Sequence, residues 1–399
     1  MSNLLVYIIS PIHIINAISS LRTQKKDKES ITILIHWPAL KENELERIKD
    51  IVKRICYKQI TNYRIVTIST NKKEIIIKEP ILQCKLLKDI LVLEYVDEIY
   101  YSHNIEGGMF DLIKKCFPKA KTICYGDSLG FFHNKEYRLS LYDSGMDKFI
   151  KRIRYIKDCI SKHLNQNNSI STRNYYPNLV SLILPIDYSN NSLKKLPLII
   201  PEKRMVLEII FNAIRNYPEL NIYQNKLVKY KENKKKWILL TDNFAEAGFI
   251  SINDEINMWI SVIKKIASMG DIIIIKPHPG ETSSRAQMLE KLVGEEFEII
   301  EIEKIYHKVP IELFYDLIII SEIICMSSPI LTLKYLYNKD VFTISSSKFI
   351  EKWFNKWAWK TLNTTYLLYS QSLGKIEYWD KNSILHSIGN INRNTKTIL

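Results

Sequence analysis

The pattern of hydrophobic positions divides the first third of the chain into short apolar runs separated by amphipathic stretches of helical period. The runs predict strands at residues 4–9, 31–36, 64–68, 98–102 and 121–125. The stretches between them predict helices at residues 13–21, 42–55, 85–93 and 109–117. Regular alternation of strands and helices is typical of βαβ units built on a parallel sheet.

A second alternation starts near residue 237 and continues for about a hundred residues. Its predicted strands are residues 237–241, 271–276, 297–302, 317–320 and 341–344, and its predicted helices are residues 255–267, 284–292 and 329–337. The strand at 271–276 is almost entirely apolar, as expected where helices cover both faces of a sheet. The pattern therefore predicts a second α/β domain.

The sequence between the two regions of alternating strands and helices differs in composition, because Asn, Ser, Tyr and Pro cluster from about residue 161 to residue 201. A predicted helix at 203–216 and a basic run at 229–236 follow. The boundaries that we assign are 1–185 for an N-terminal Rossmann-like domain, 186–235 for a linker region, 236–345 for a C-terminal Rossmann-like domain, and 346–399 for helices that pack back across both domains. Ligands of open parallel sheets bind at the carboxyl ends of the strands, so we expect the active site in the interdomain cleft.

Composition narrows the class of protein. The chain has 399 residues, of which 46% are hydrophobic and 25% are charged, which is ordinary for a folded chain of two domains. The N-terminus shows neither a basic leader nor a cleavage site, and no apolar run reaches the roughly 18 residues of a membrane span, so we expect a cytoplasmic protein. The six cysteines form no C-x-x-C pair, which argues against a zinc site or a disulfide framework.

The net charge of +14 favours contact with acidic substrates, polyanions or an anionic membrane surface. A bias toward Ile, Lys and Asn in the coding DNA would give the same excess, so charge alone decides nothing finer.

The sharpest motif is Lys276-Pro277-His278-Pro279-Gly280, which lies directly after the buried strand and before a helix. The two prolines fix the backbone on either side of the histidine, so the imidazole is held by a rigid turn at the ligand-binding edge of the sheet. Such a placement suits a group that meets a phosphate. The alternative is a structural turn with an incidental histidine.

Two further motifs of the second half reinforce this one. Met326-Ser327-Ser328-Pro329 opens a helix, where backbone N–H groups and two hydroxyls could form an anion site, although a simple capping role is the commoner use of such serines. Glu312, in Val309-Pro310-Ile311-Glu312-Leu313, could accept both hydroxyls of a ribose or could be an ordinary acid in the first turn of a helix.

The first half contributes two polar loops at strand ends. Asp127, in Gly126-Asp127-Ser128-Leu129-Gly130, could remove a proton from an attacking hydroxyl, although a plain turn explains it equally well. Ser10, His13 and Asn16 present small polar groups at the end of the first strand, where His13 could also be a structural residue at a helix start. The sequence lacks G-x-G-x-x-G, G-x-x-x-x-G-K-[ST], H-E-x-x-H and G-x-S-x-G, which excludes several common enzyme classes.

In chain order, these motifs resemble those of bacterial sialyltransferases and polysialyltransferases over most of the chain. The motifs concerned are Ser10-Pro11-Ile12-His13, the Asp127 loop, Lys276-Pro277-His278-Pro279, Pro310-x-Glu312 and Ser327-Ser328. The resemblance implies a GT-B fold, two Rossmann-like domains with the active site in the interdomain cleft. It also implies a glycosyltransferase that moves sialic acid from CMP-sialic acid to a sugar acceptor.

The resemblance also implies roles for single residues. In that family the Lys-x-His-Pro turn and the paired serines bind the CMP phosphate, and the downstream glutamate holds the ribose. The implied donor-binding residues are Lys276, Pro277, Gly280, Glu312, Ser327 and Ser328, and the acceptor-binding residues are Ser10, His13 and Asn16. The implied catalytic residues are Asp127 and His278.

The motif that carries the catalytic base departs from the family pattern. The family has an acid-acid-Gly motif, whereas this chain keeps one acid in the Asp127 loop, and Glu106 in Ile105-Glu106-Gly107-Gly108 is the second candidate. The implied reaction inverts the anomeric carbon, with Asp127 as the base and His278 and the serines stabilising the departing CMP. No D-x-D pair stands near a strand end and CMP leaves readily, so we expect no cofactor and no metal.

Other functions stay open at this point. The same contacts would serve CMP-Kdo, CMP-legionaminic acid or CMP-pseudaminic acid, and a CDP-glycerol polymerase of the teichoic-acid type also uses a His-Pro turn. A non-enzymatic polyanion-binding protein is the alternative from another class. The expected partners are a CMP-sugar donor and a glycan or glycolipid acceptor, with peripheral contact to the anionic inner membrane and no nucleic acid.

Overall fold

A computed structural model of the chain describes residues 1–36, 42–68, 80–102, 109–126, 177–185, 197–344, 346–363, 365–367, 369–370, 372 and 397–398. These residues form two parallel sheets with helices packed against them. The α/β class with two Rossmann-like domains is therefore confirmed.

The first sheet has seven strands in the order β3-β2-β1-β4-β5-β6-β7, all parallel. Its strands are β1 Asn3–Ile8, β2 Ser30–His36, β3 Tyr63–Ile68, β4 Glu98–Ser102, β5 Lys121–Gly126, β6 Leu179–Leu182 and β7 Leu198–Ile199. The order reverses next to β1, which is where a sheet of this type opens a crevice for a ligand.

Helices cover both faces of this sheet, as the alternation of side chains along β1 shows. Leu4, Val6 and Ile8 pack in one buried cluster with helices α1 Pro11–Thr23 and α2 Glu42–Cys56. Leu5 and Tyr7 point to the opposite face and pack in a second cluster with helices α3 Pro80–Leu91 and α4 Met109–Cys116. A strand has a side-chain period of two, so each face of β1 needs its own apolar cover.

Two helices lie in the sequence between the strands of the first sheet and those of the second. Helix α5 Lys203–Arg215 packs against α1 and α2, and helix α6 Pro218–Lys229 packs against a helix of the second domain. Arg54 of α2 also pairs with Glu219 of α6 at 2.9 Å. Strand β7 and these two helices fall within the predicted linker region, residues 186–235. Most of the described part of that region is thus regular structure, and its two helices contact both domains.

The second sheet has six parallel strands in the order β10-β9-β8-β11-β12-β13. Its strands are β8 Lys236–Leu240, β9 Ile272–Lys276, β10 Glu298–Glu301, β11 Glu322–Cys325, β12 Val341–Ile344 and β13 Thr397–Ile398. Its helices are α7 Ile252–Ile266, α8 Arg285–Val293, α9 Tyr315–Ile320, α10 Pro329–Tyr337 and α11 Ser347–Trp353. Every residue of β9 is buried, as predicted for a central strand.

One predicted strand is wrong. Residues 317–320 form the end of helix α9, and the strand follows at Glu322–Cys325. Leu317 and Ile318 are buried, whereas Ile319 and Ile320 are 45% and 47% exposed. Four consecutive apolar residues carry no period that separates a short helix from a buried strand, which explains the error.

The C-terminal part follows α11, and the described residues between 359 and 372 are helical. Tyr366 donates a hydrogen bond to the carbonyl of Met326, beside the second sheet, at 3.3 Å. Among the residues described, no helix combines the length and the apolar character needed to span a membrane.

Candidate active site

A cavity of about 260 Å³ lies where the carboxyl ends of the two sheets face each other. Residues of both domains line it, including nine that the sequence singled out: Ser10, His13, Asn16, Lys276, Pro277, His278, Glu312, Ser327 and Ser328. Asp127 and Glu106 lie outside the described residues. Gly126, which directly precedes Asp127, also lines the cavity.

The His278 turn is fixed by hydrogen bonds on both sides of the imidazole. The His278 N–H donates to Thr241 Oγ1 at 3.2 Å and to Glu281 Oε1 at 3.0 Å. Thr241 also donates its hydroxyl to Glu281. The Gly280 N–H donates to His278 Nδ1 at 3.0 Å. Because Nδ1 accepts this bond, the proton of the neutral imidazole belongs on Nε2, which is left as a donor for a ligand.

Burial, with the nearby ammonium groups of Lys276 and Lys308, lowers the pKa of His278 to about 4. The imidazole is therefore neutral at physiological pH in the unliganded protein. His278 contributes a directed N–H group, and the two lysines contribute the positive charge.

Lys276 ends β9 and is only 6% exposed. Its Nζ donates to the carbonyl of His307 at 3.0 Å, and burial lowers its pKa to about 8, opposed by the charge of Glu312. Lys308 lines the same cavity, donates to the carbonyl of Pro279 and approaches Glu44 of the first domain at 3.8 Å. The two ammonium groups give this side of the cavity a positive potential.

Ser327 and Ser328 lie between β11 and helix α10. Ser328 is the N-cap residue of α10, as predicted, and its side chain makes no capping hydrogen bond. The Ser327 N–H donates to Cys325 Sγ at 3.3 Å, and Ser327 Oγ lies 3.4 Å from the same sulfur, where either atom can donate. Both serines line the cavity beside a helix start, where hydroxyls and backbone N–H groups can meet an anion.

Glu312 stands in a single 3₁₀ turn, Ile311–Leu313, and is 4% exposed. Its Oε1 accepts a hydrogen bond from Thr332 at 2.8 Å, and Tyr337 donates to its backbone carbonyl at 2.6 Å. These contacts hold a carboxylate in the wall of the cavity, where it can accept hydrogen bonds from vicinal hydroxyls.

The first-domain wall carries polar groups at the start of α1. Ser10 is the N-cap residue in an extended conformation, and its side chain makes no capping bond. His13 Nδ1 accepts a hydrogen bond from the Ile9 N–H at 3.4 Å. The His13 and Tyr125 rings form a T-shaped pair with their centroids 6.2 Å apart. Asn16 is 4% exposed, and its Oδ1 has no hydrogen-bond partner among the described residues.

Sequence reasoning missed several residues at this site. Lys308 and Thr332 line the cavity, Glu281 accepts a hydrogen bond from the His278 N–H, and the buried Asp242 follows β8 next to Thr241, which also lines the cavity. A signal existed for Asp242, since it directly follows the predicted strand at 237–241. Lys308 is a polar residue in a turn, and only the tertiary fold brings it to the cavity. Within the described part of the chain, no three His, Cys, Asp or Glu side chains come close enough to hold a metal ion.

Comparison with known proteins bears on this geometry. A family model described as Alpha-2,8-polysialyltransferase (POLYST) matches residues 4–346. No curated protein matches the chain significantly.

Among solved structures, UDP-GlcNAc 2-epimerase from Neisseria meningitidis, bound to UDP-GlcNAc, matches with a TM-score of 0.50 and 11% identity, covering 97% of this chain and 100% of that one. The E. coli ADP-heptose lps heptosyltransferase II matches with a TM-score of 0.38 and 10% identity, covering 86% of this chain and 84% of that one. The first of these similarities shows the same two-domain fold.

Proposed function

We propose a specific reaction for this chain, which belongs to the alpha-2,8-polysialyltransferase family and is a glycosyltransferase. The reaction is inverting transfer of sialic acid from CMP-sialic acid to a sugar acceptor, without a metal. The acceptor that we propose is a terminal galactose or sialic acid of a lipid-linked O-antigen, capsule or lipooligosaccharide. Family membership supports sialyl transfer, and the donor, the stereochemistry and the acceptor are the proposal.

One observation carries the proposal: the His278 turn, the paired serines and Glu312 line the same cavity as polar residues of the first domain. The phosphate of CMP fits between His278 and Ser327 with Ser328, because hydrogen-bond donors and the charges of Lys276 and Lys308 meet there. The ribose then falls toward Glu312, which can accept its hydroxyls. This assignment gives each charged lining residue of the second domain a role, with Lys276 and Lys308 at the phosphate and Glu312 at the ribose.

The chemistry follows from the leaving group. As the bond between the anomeric carbon and the phosphate oxygen breaks, negative charge grows on CMP. His278 Nε2–H and the serine hydroxyls are positioned to donate to that oxygen, and interactions that strengthen as charge develops accelerate the step. The two ammonium groups stabilise the same charge, which is why a metal ion is not required by the proposal.

The acceptor enters from the first-domain side. Asn16 Oδ1 lacks a partner among the described residues, and Ser10 and His13 lie beside it in the cavity wall. These groups suit the hydroxyls of a sugar. Asp127 is the proposed base that takes the proton of the attacking hydroxyl, and Glu106 is the alternative. Attack from the face opposite the phosphate inverts the anomeric carbon.

The proposal places the reaction in the cytoplasm, with peripheral contact to the anionic inner membrane favoured by the net charge of +14. A lipid-linked acceptor would be presented there. Nucleic acid is not a proposed partner.

A donor screen tests the function. The purified chain is incubated with CMP-sialic acid, CMP-Kdo, CMP-legionaminic acid and CMP-pseudaminic acid, together with galactose-terminated and sialic acid-terminated acceptors, and product masses are measured. Transfer from CMP-sialic acid supports the proposal, and transfer only from another donor reassigns the sugar. Release of CMP without any glycan product in any combination contradicts it.

The base is tested separately. Asp127→Ala is expected to abolish transfer, whereas Glu106→Ala is expected to retain it. The reverse result moves the base to Glu106, and retained activity in both variants removes the base assignment.

A further inference from the structure

A second cavity lies on the first domain, outside the proposed active site. It has a volume of about 710 Å³ and is formed by α2, the start of β3 and the residue that follows α5. Four of its described lining residues are cations, Lys49, Lys53, Arg54 and Arg64, and none is Asp or Glu. The proposed function gives this cavity no role.

Two of the four cations are paired with surface acids. Lys49 bonds Glu46 at 3.0 Å, and Arg54 bonds Asp50 at 2.8 Å and Glu219 at 2.9 Å. The charge that the cavity can offer to a ligand therefore comes mainly from its other two cations.

The guanidinium of Arg64 is held in place by neutral groups. Its Nε donates to Thr32 Oγ1 at 2.9 Å, and its Nη2 donates to the carbonyls of Leu91 and Val92. Among the described residues, neither Arg64 nor Lys53 forms an ion pair, and Arg64 Nη1 makes no hydrogen bond. The cavity thus presents a fixed guanidinium whose charge is not neutralised, beside an exposed ammonium group.

Exposed apolar side chains surround this guanidinium. Tyr57 lines the cavity and is 52% exposed, and Val92, whose carbonyl accepts from Arg64, is 72% exposed. Met1 is 86% exposed, and its sulfur lies 3.4 Å from the side-chain amide of Asn62, just before β3. Cations set among exposed apolar and aromatic side chains match the interfacial region of a bilayer, where phosphates meet the cations and apolar groups enter between the headgroups.

The backbone at Val92 supports a use for its side chain outside the fold. Val92 directly follows α3 and has a φ of +49°, in the left-handed region. A β-branched residue is a genuine outlier there, and Gly or Asn is usual at such a helix end. The fold alone disfavours valine at this turn, whereas contact with an apolar environment would favour it.

We propose that this face, defined by Lys53, Tyr57, Arg64 and Val92 and called the anchoring face, binds the surface of a membrane that contains anionic phospholipids. A headgroup phosphate contacts Arg64 and Lys53, and the side chains of Tyr57 and Val92 enter among the headgroups. The acceptor side of this inference rests on the proposed function, because a lipid-linked glycan is presented at such a surface. A soluble acidic glycan would use the two cations but would give the exposed apolar side chains no partner.

Helix α2 connects the anchoring face with the active site. Glu44, in its first turn, lies 3.8 Å from Lys308 of the catalytic cavity, and Tyr57 follows its last residue. A helix rises about 1.5 Å per residue, so the two ends of α2 lie about 20 Å apart. The reacting end of the acceptor can therefore stand up to about 20 Å from the membrane surface, which suits a lipid-linked chain of several sugars.

Co-sedimentation of the full chain with vesicles, without donor or acceptor, tests the inference. The vesicles contain phosphatidylcholine alone or equal parts of phosphatidylcholine and phosphatidylglycerol. We expect the wild type to bind the anionic vesicles, less tightly as salt is raised, and to leave the neutral ones unbound. Arg64→Gln and Lys53→Gln should each lower the affinity for anionic vesicles about fivefold. Lys291→Gln, at an exposed lysine of the second domain, is the matched control and should bind as the wild type does.

Val92→Asn separates membrane contact from stability. Asn tolerates the left-handed conformation, so this variant should unfold at a higher temperature than the wild type. Its affinity for anionic vesicles should nevertheless fall several-fold, because an apolar side chain is lost from the anchoring face. Met269→Asn, at a residue that is 80% exposed in the second domain, should leave vesicle binding unchanged. If Arg64→Gln does not fold, Lys53→Gln and Val92→Asn keep the test valid.

Three outcomes overturn the inference. The first is a wild type that binds no anionic vesicles, and the second is unchanged vesicle binding by both Lys53→Gln and Val92→Asn. The third is Arg64-dependent binding of a soluble sialic acid oligomer or of inorganic phosphate, without vesicle binding. All three leave transfer from CMP-sialic acid to a soluble acceptor untouched. Vesicle binding through the anchoring face by a chain that transfers no sugar would overturn the proposed function alone.

Discussion

The two walls of the cavity differ in the kind of polar group that they offer. The second-domain wall carries Lys276, Lys308 and Glu312, with His278 locked by hydrogen bonds from Gly280 and to Glu281. Among its described residues, the first-domain wall offers hydroxyl, amide and imidazole groups, and no Lys, Arg, Asp or Glu. The contrast suggests that the donor is recognised by charge and fixed geometry, and the acceptor by hydrogen bonds to hydroxyls.

The largest effect is expected from removing the His278 imidazole from the second-domain wall. His278→Ala should lower kcat by about 10²- to 10³-fold, because a donor to the leaving oxygen is lost at the transition state. Initial rates with CMP-sialic acid check this. His307→Ala is the matched control, since His307 lies nearby and does not line the cavity. Full activity in a folded His278→Ala variant would remove the role given to this residue.

The charge of Lys308 gives the next largest effect. Lys308→Ala should raise the donor KM about tenfold and leave the acceptor KM unchanged, because an ammonium group beside the phosphate is lost. Glu44→Ala separates the charge of Lys308 from its contact with the first domain. It removes the ion pair between Glu44 and Lys308, which are 3.8 Å apart, and keeps the Lys308 ammonium group. If both variants raise the donor KM equally, the contact between domains matters and the charge does not.

A smaller effect is expected at the first-domain wall, and there it should fall on the acceptor KM instead of the donor KM. Asn16→Ala should raise the acceptor KM by about threefold to tenfold, with the donor KM unchanged, because one hydrogen bond to a sugar hydroxyl is lost. Asn221 also has an Oδ1 without a partner among the described residues, but it does not line the cavity. Asn221→Ala should leave both constants unchanged. A rise in the donor KM of Asn16→Ala would contradict the division of labour between the walls.

The smallest effect is expected from crowding the imidazole. A Cβ on Gly280 would lie 3.2 Å from His278 Nδ1, so Gly280→Ala should shift the ring by a fraction of an ångström and lower kcat a few-fold. Gly248 has φ of +73°, and Gly248→Ala should lower stability by about 1 kcal/mol with kcat unchanged. Equal kcat in the wild type and Gly280→Ala would show that the ring position is not critical.

Much of the fold could be predicted because each domain repeats a strong local pattern. The continuous apolar run in β9 predicted the strand, and the prolines around His278 predicted the turn that follows it and lines the cavity. The helix α9 was missed because its four apolar residues, Leu317 to Ile320, lack a readable period.

The site was predicted only in part, for a physical reason. Residues at strand ends could be found one strand at a time, since parallel strands deliver them to one edge. Thr241 accepts from the His278 N–H and Lys308 donates to the Pro279 carbonyl, and these two contacts join segments 37 and 29 residues apart in the chain. No local pattern reports such a contact.

A structure of the chain with CMP bound tests the central claim most directly. The account predicts that phosphate oxygens lie about 2.6–3.2 Å from His278 Nε2 and from the hydroxyl of Ser327 or Ser328, with the ribose at Glu312. CMP bound elsewhere, or with its phosphate turned away from His278, would contradict the account.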